Sequence, residues 1–328
     1  MARGRPDRPR PSGFAYNEIF MPEDCLLGID LGGTKIAAGL FGAGSALLGP
    51  SVTAPTEASQ PAEVTLRNLE QAARQALDGR SPVAVGVGST GPVDAAAGRI
   101  LDATSLPNLN FFDLGAWVEE RFGAPMFIEN DANCFALGEA VQGAGAGHQV
   151  VVGVTLGTGF GCGIVIGGVM HSGVTGNAGE VAECPVAGGS YDSMLSGAGV
   201  RRFYERVLNA PAELTARQIG DLAEAGDPHA LAAWRHYGSA VGAALGTIAA
   251  VLDPSICVIG GSVAARLALF QEPLEARLRS ILAPAAASRI HITAAQLGPA
   301  AGLIGAVEYA WQRLGRPRFH HRDTEAQR

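Results

Sequence analysis

Two stretches of this chain are written in one grammar. Residues 28–41 read GIDLGGTKIAAGLF and residues 153–166 read GVTLGTGFGCGIVI. Each is an apolar strand, a Leu-Gly step, a turn of small residues and a returning strand. Self-similarity of this kind predicts two related lobes with a cleft between them. Two glycine-rich hairpins facing that cleft could grip one ligand from both sides, because glycine lets backbone N–H groups approach phosphate oxygens closely.

Strands and helices alternate along the rest of the chain. CLLGID, KIAAGLF, VAVGVGS, QVVVGVTLG, GCGIVIGG and ICVIGGS read as strands. In residues 62–79, Leu69, Ala72, Ala73 and Ala76 recur at helical spacing, and Gly79 closes the run. DLGAWVEERFG reads as a helix capped by Asp113, helices are expected through residues 196–252, and residues 299–314 form a last helix with Pro299 near its start. This is an α/β architecture. The expected organisation is an Arg/Pro/Gly-rich arm over residues 1–22, a smaller lobe over 23–130 with the helix 299–314 packing back onto it, a larger lobe over 131–298, and a polar tail over 315–328 in which His320 and His321 read as solvated.

Composition removes several classes of function. A length of 328 residues suits two lobes, and 47% hydrophobic against 17% charged residues allows a large core. A net charge of −7 opposes a nucleic-acid surface. Cys25, Cys134, Cys162, Cys184 and Cys257 are scattered with no CxxC spacing, which reads as reduced thiols in a cytoplasm. The uncharged stretches 149–170 and 237–252 are glycine-interrupted strands and a helix too short to span, so no membrane segment is expected.

Three turns suit phosphate binding: DLGGTK (30–35), LGTGFG (156–161) and IGGS (259–262). No GxxxxGK[ST] P-loop or GxSxG elbow is present, and Cys162 breaks a GxGxxG reading of the second turn. Lys35 is the only lysine in the chain, a compact ammonium inside the first turn. The stretch FIENDANCFALGE (127–139) carries an apolar strand into Glu129, Asn130, Asp131 and Asn133 just as a helix begins. Burying that polarity is costly unless it is paired or used. It reads either as a helix cap or as a catalytic group delivered to the cleft. A nucleotide-dependent kinase needs a phosphate cradle, carboxylate-organised Mg²⁺ and a base beside the acceptor hydroxyl. Asp30 suits the metal, Asp131 the base and Asn130 the acceptor.

The chain resembles the ROK (repressor, open reading frame, kinase) sugar kinases, within the actin-like, ribonuclease H-like ATPases. The resemblance runs from about Leu26 to Leu314 and rests on GIDLGGTKIAAGLF, GVGSTGPVD, PNLNFFDLGAWVEERFGAPMFIENDANCFALGE, VTLGTGFGCGIVIGGVMHSGVTGNAGE, VIGGSVA and LGPAAGLIGAVEYA. It implies a two-lobed fold and MgATP-dependent phosphorylation of a hexose, glucose or a close analogue, usually at O6. Asp131 is implied as general base, and Asn108, Asn130 and Glu180 as sugar ligands. Asp30, Gly32, Gly33, Thr34, Lys35, Gly157, Thr158 and Gly159 are implied at the phosphates, and Gly260, Gly261 and Ser262 near the adenosine. Homodimers are common in such a family.

The departures are specific. Glu183 stands where the family carries a His, and the Cys-rich zinc motif that follows in the family is absent. Cys184 alone cannot hold tetrahedral zinc, so no structural zinc is expected. Asp192 aligns with a sugar-binding Glu of the family. An ionised carboxylate at Glu183 only accepts hydrogen bonds, which puts sugar choice in question. Three alternatives remain: a ROK-type repressor, disfavoured because about two dozen residues precede the first strand; a catalytically silent sugar sensor; and a polyphosphate-dependent kinase, for which the acidic charge gives no support.

Overall fold

The computed structural model describes residues 24–314. The arm 1–22 and the tail 315–328, with His320 and His321, lie outside the described residues. Two five-stranded sheets are built by one plan. In the first, β1 (Leu26–Leu31), β2 (Lys35–Phe41), β3 (Val52–Pro55), β4 (Ala84–Ser89) and β5 (Met126–Asn130) lie in the order β3-β2-β1-β4-β5. In the second, β6 (Val150–Leu156), β7 (Phe160–Ile166), β8 (Val169–Met170), β9 (Ile256–Gly260) and β10 (His291–Ala294) lie in the order β8-β7-β6-β9-β10. Each sheet starts as an antiparallel meander and then adds two parallel strands. The repeat read in the two hairpins therefore extends to whole sheets. The edge strands β3, β8 and β10 were not read from sequence: they are short, and Pro55 ends the first.

The helices are α1 (Ala62–Leu77), α2 (Leu114–Phe122), α3 (Asp131–Gln142), α4 (Tyr191–Leu195), α5 (Gly197–Leu208), α6 (Ala216–Glu224), α7 (Pro228–Leu252), α8 (Leu267–Ile281), α9 (Pro284–Ala287) and α10 (Ala301–Arg313). Local chemistry explains their ends. Asp113 caps α2 by accepting from Ala116 N at 3.1 Å, and Asp227 caps α7 by accepting from Ala230 N at 2.7 Å, with Pro228 at the first helical position. At the end of α1 it is Asp78, at φ 48°, that takes the left-handed cap one residue before the expected Gly79.

Helices α3 and α10 lie between the sheets. Helix α10 packs on β1, β4 and β5, while α3 packs on β6 and β7. Glycine makes these layers thin. A methyl group at Gly86 would overlap the Ala306 carbonyl, and one at Gly28 would come 2.8 Å from Val307 Cγ2. On the other side, methyls at Gly153 and Gly163 would each sit 2.6 Å from Ala136 Cβ. Where α3 crosses α10, Gly138 faces the Ala301 carbonyl and Gly305 faces the Cys134 carbonyl with no room for a Cβ. The outer faces of the sheets carry separate cores. Leu66, Leu69 and Val118 cover the first, and Trp234, Tyr237, Phe270 and Leu274 belong to the second. Trp234 and Phe270 stack with centroids 5.6 Å apart.

Gly305→Ala should force α3 and α10 apart and lower stability by ~1–3 kcal/mol, the usual range for overpacking. Gly49→Ala, with nothing within 4 Å of the added methyl, should be close to neutral. The urea midpoints of the two variants check this.

Candidate active site

Strand register brings the acids to one edge. Asp30 of β1 pairs with Gly88 of β4, and Gly88 pairs with Glu129 of β5. The next register step holds Leu31, Ser89 and Asn130. All three strands are parallel, so they end together, and open α/β sheets place ligands beyond the carboxyl ends of such strands. Gly88 leaves space between the two carboxylates that Cys134 of α3 occupies, its Sγ 3.2 Å from where a Cβ would stand.

Asn130 and Asp131 form the strand-to-helix junction. Asn130 is the N-cap of α3: its Oδ1 accepts from Ala132 N at 2.8 Å and Asn133 N at 3.3 Å, and its Nδ2 donates to the Gly91 carbonyl at 3.2 Å. Asp131 is half-buried at the first helical position, and its Oδ1 accepts from Ala132 N at 2.8 Å. The cap reading is therefore correct for Asn130, and Asp131 retains a second carboxylate oxygen. Burial, then the nearby Asp30, and after the opposing Ala132 N–H also Glu180, push the Asp131 carboxyl up to about 7. Asp30 is raised by burial and held back by Lys35, while Glu180 is raised by burial and by Glu129.

A pocket of about 310 Å³ opens beside this junction. Pro92, Val93 and Leu101 line it from the first lobe, Thr175, Asn177 and Glu180 line it from the second, and Glu129 and Asn130 also border it. Small-ligand sites run from ~300 to 1,000 Å³, so this one suits a small molecule. Glu129 was present in the motif but was not assigned a role from sequence. It is buried, and it accepts from Asn130 N at 2.8 Å, Asn133 Nδ2 at 3.1 Å and Ser172 Oγ at 2.7 Å. Asn177 was also unassigned, although GNAGE contains it.

The glycine turns flank the junction. In the first, Gly32 N donates to the Lys35 carbonyl at 3.0 Å, Thr56 Oγ1 donates to the Gly32 carbonyl at 2.6 Å, and Gly33 packs against Ser105. Thr34 and Lys35 are exposed. In the second, Gly157 N donates to the Gly159 carbonyl at 3.0 Å and Thr158 is exposed. The third adjoins it: Gly261, at φ 85°, presses on the Leu156 carbonyl, and Ser262 Oγ lies 4.0 Å from where a Gly157 Cβ would be. Gly260 packs on Phe135 of α3.

The other expected sugar ligands have distinct surroundings. Asn108 Nδ2 donates to the Gln60 carbonyl at 2.9 Å and to Thr65 Oγ1 at 2.8 Å, leaving its Oδ1 buried with no donor among the described residues. Asp192 Oδ1 accepts from Phe160 N at 2.9 Å and sits against Gly159, so this carboxylate braces the second turn. Glu183 is exposed, just ahead of the small hairpin formed by residues 185–186 and 189–190. Cys184 packs against the second core, and its carbonyl accepts from Tyr191 N at 3.0 Å.

A model of the ROK family matches residues 26–313. The chain belongs to the ROK family. It is 32% identical to a glucokinase of Streptomyces coelicolor, over 87% of this chain and 96% of that one. Among solved structures, the ROK hexokinase of Thermus thermophilus superposes with a TM-score of 0.76 at 31% identity, covering 89% of this chain and 99% of that one. The ROK glucokinase of Streptomyces griseus, in complex with glucose and AMPPNP, gives 0.73 at 32% identity, covering 88% and 99%. The two-lobed actin-like fold of these ROK kinases is the fold of this chain. Among the described residues no helix is long and apolar enough to cross a membrane.

The raised Asp131 pKa has a consequence for stability. The folded state favours the protonated form, so ionising Asp131 costs stability progressively from about pH 4 to about pH 7, and fully above that range. Asp131→Asn should therefore stabilise the protein at pH 8 by ~1–3 kcal/mol and much less at pH 4. Thermal or urea unfolding at the two pH values measures the difference.

Proposed function

We propose that this ROK-family sugar kinase transfers the γ-phosphoryl group of ATP to O6 of a hexose, glucose or a close analogue, with Asp131 as general base. The observation that carries the reading is the junction itself. Asn130 borders a small acid-lined pocket, and the next residue is a carboxylate pushed up to about 7 by burial, by Asp30 at the start of the first glycine turn and by Glu180 of that pocket. A base poised near the working pH both accepts a proton and is available to do so. Asn177, Asn130 and Glu180 supply donors and acceptors for sugar hydroxyls in the pocket, whose lining does not include Asn108.

The exposed backbone of the first two turns suits the ATP phosphates, with Lys35 adding charge, and the Gly260–Ser262 turn suits the nucleoside. The Asp30 carboxylate fits a divalent cation: it is half-buried, it is close enough to raise Asp131, and Mg²⁺ sites use one or two carboxylates together with phosphate oxygens and water. When bound, Mg²⁺ would neutralise charge on the transferring phosphoryl group. The rest of the catalysis falls to this chain's residues. Asp131 takes the acceptor proton, the pocket orients the hydroxyl, and the lobes exclude water that would otherwise receive the phosphoryl group. The glucokinase and hexokinase relatives support glucose as the first substrate to try.

ADP release from the purified protein with MgATP is expected with at least one of glucose, mannose, fructose, glucosamine, N-acetylglucosamine and N-acetylmannosamine. Asp131→Ala should cut kcat by ~10²–10⁴. For the intact protein, kcat/KM for the sugar should fall as pH drops below about 7, where free Asp131 takes up its proton. Absence of turnover with every sugar would favour the sensor reading. Asp192→Ala, which frees the second turn, should raise KM for ATP more than KM for the sugar; the reverse order would support Asp192 as a sugar ligand.

A further inference from the structure

Glu129 is a buried carboxylate that the chemistry above does not use. Its side chain makes no ion pair among the described residues, and three hydrogen-bond donors satisfy it instead. Two of them, Asn130 N and Asn133 Nδ2, belong to its own strand-to-helix junction. The third, the Ser172 hydroxyl at 2.7 Å, comes from the chain that follows β8 in the other sheet. Ser172 is also the foot of the loop that lines the pocket, since Ala178 N donates to its carbonyl at 3.1 Å.

That loop has little else to hold it. Gly173, Gly176 and Gly179 all have positive φ, at 75°, 83° and 90°, so three of its residues adopt backbone that only glycine takes freely. Val174, Thr175, Gly176 and Asn177 are exposed. At the far end, Gly179 is wedged against the Cys162 carbonyl of β7, which ties the loop to its own lobe. The Ser172–Glu129 hydrogen bond ties it to the opposite one.

We propose that Glu129 is a positioning residue for the acceptor: by accepting the Ser172 hydroxyl it latches the loop 172–180 of one lobe onto the strand end of the other, and so holds Asn177 and Glu180 over the pocket. This rests on reading that pocket as the sugar site. The latch explains why a strand should end in a buried acid one residue before the cap. A charged acceptor makes a stronger bond to a hydroxyl than an amide would, and in a buried setting that bond is shielded from competing water. It also separates two roles within one motif: Glu129 shapes the pocket, and Asp131 performs the proton transfer.

The test is Ser172→Ala beside Ser172→Thr, which keeps the hydroxyl, in the full-length protein. With whichever sugar of the six-member panel turns over, Ser172→Ala should raise the sugar KM about ten-fold, the loss expected for a hydrogen bond to a charged group. Its kcat and its KM for ATP should stay within about two-fold, and Ser172→Thr should restore the sugar KM. Glu129→Ala should reproduce the sugar KM defect if it folds, and adding Ser172→Ala to it should then cost little more. An unchanged sugar KM in Ser172→Ala, or a fall in kcat alone, would overturn the proposal. If no sugar of the panel is phosphorylated by the wild type, the sugar reading fails separately, and hydrogen exchange decides the latch. Amides of residues 173–180 should exchange about ten-fold faster in Ser172→Ala than in wild type without any sugar, and equal rates would overturn it.

Discussion

The close crossing of α3 and α10 is the contact on which the rest depends. Two sheets of similar design do not by themselves make a site; they must be joined so that their hairpins face each other. Here each sheet lays one helix on its inner face, and the two helices meet backbone to backbone at Gly138 and Gly305. A side chain at either point would overlap the facing carbonyl and push the helices apart. Glu139, fully buried on α3, adds direction to the contact. Its carboxylate accepts from Ala144 N, Gln296 N and Leu297 N at 2.8–3.1 Å, so α3 holds the segment that leads into α10.

Because α3 begins at the end of β5, that same crossing sets the position of Asp131. One residue thus starts the inter-lobe helix and lies within electrostatic reach of Asp30 and Glu180. The surroundings concentrate negative charge: Asp30 and Glu180 raise Asp131, Glu129 raises Glu180, and Lys35 holds Asp30 back. Like charges brought together are unfavourable, and such clustering is common where charge is needed for chemistry. Cys134 shows the strength of this field. Its buried thiol is pushed well up by desolvation and then by Glu129, Asp30 and Asp131, so it serves as a packing group and not as a nucleophile.

Much of this was legible along the chain. The duplicated hairpins announced two lobes because period-two apolar runs and glycine turns are local signals. Asp113 as a cap and Asn130–Asp131 at a strand end followed from short-range chemistry. Other residues could not be understood in that way. Alignment reads Asp192 as a sugar ligand, and no local signal announces that its Oδ1 holds Phe160 N, thirty-two residues away in sequence. Asn108 spends its amide on Gln60 and Thr65 and leaves only its oxygen free. Glu129 stood in plain view in the motif, but its partner Ser172 is forty-three residues distant. The edge strands β3, β8 and β10 carry too few residues for a periodic signal, and their pairing is decided by the strands beside them.

The sequence by itself determined the main strands and helices, the duplicated hairpins, the glycine turns and the identity of the acid at the start of α3, since each is written within a dozen or so neighbouring residues. Tertiary structure alone decided which acids share a pocket, which are spent on holding loops, and how near neutrality Asp131 sits. The reason is physical. Propensity and capping act over one or two turns of chain, whereas burial and Coulomb interactions depend on distance in space, and that distance is set only when the two sheets close on α3 and α10.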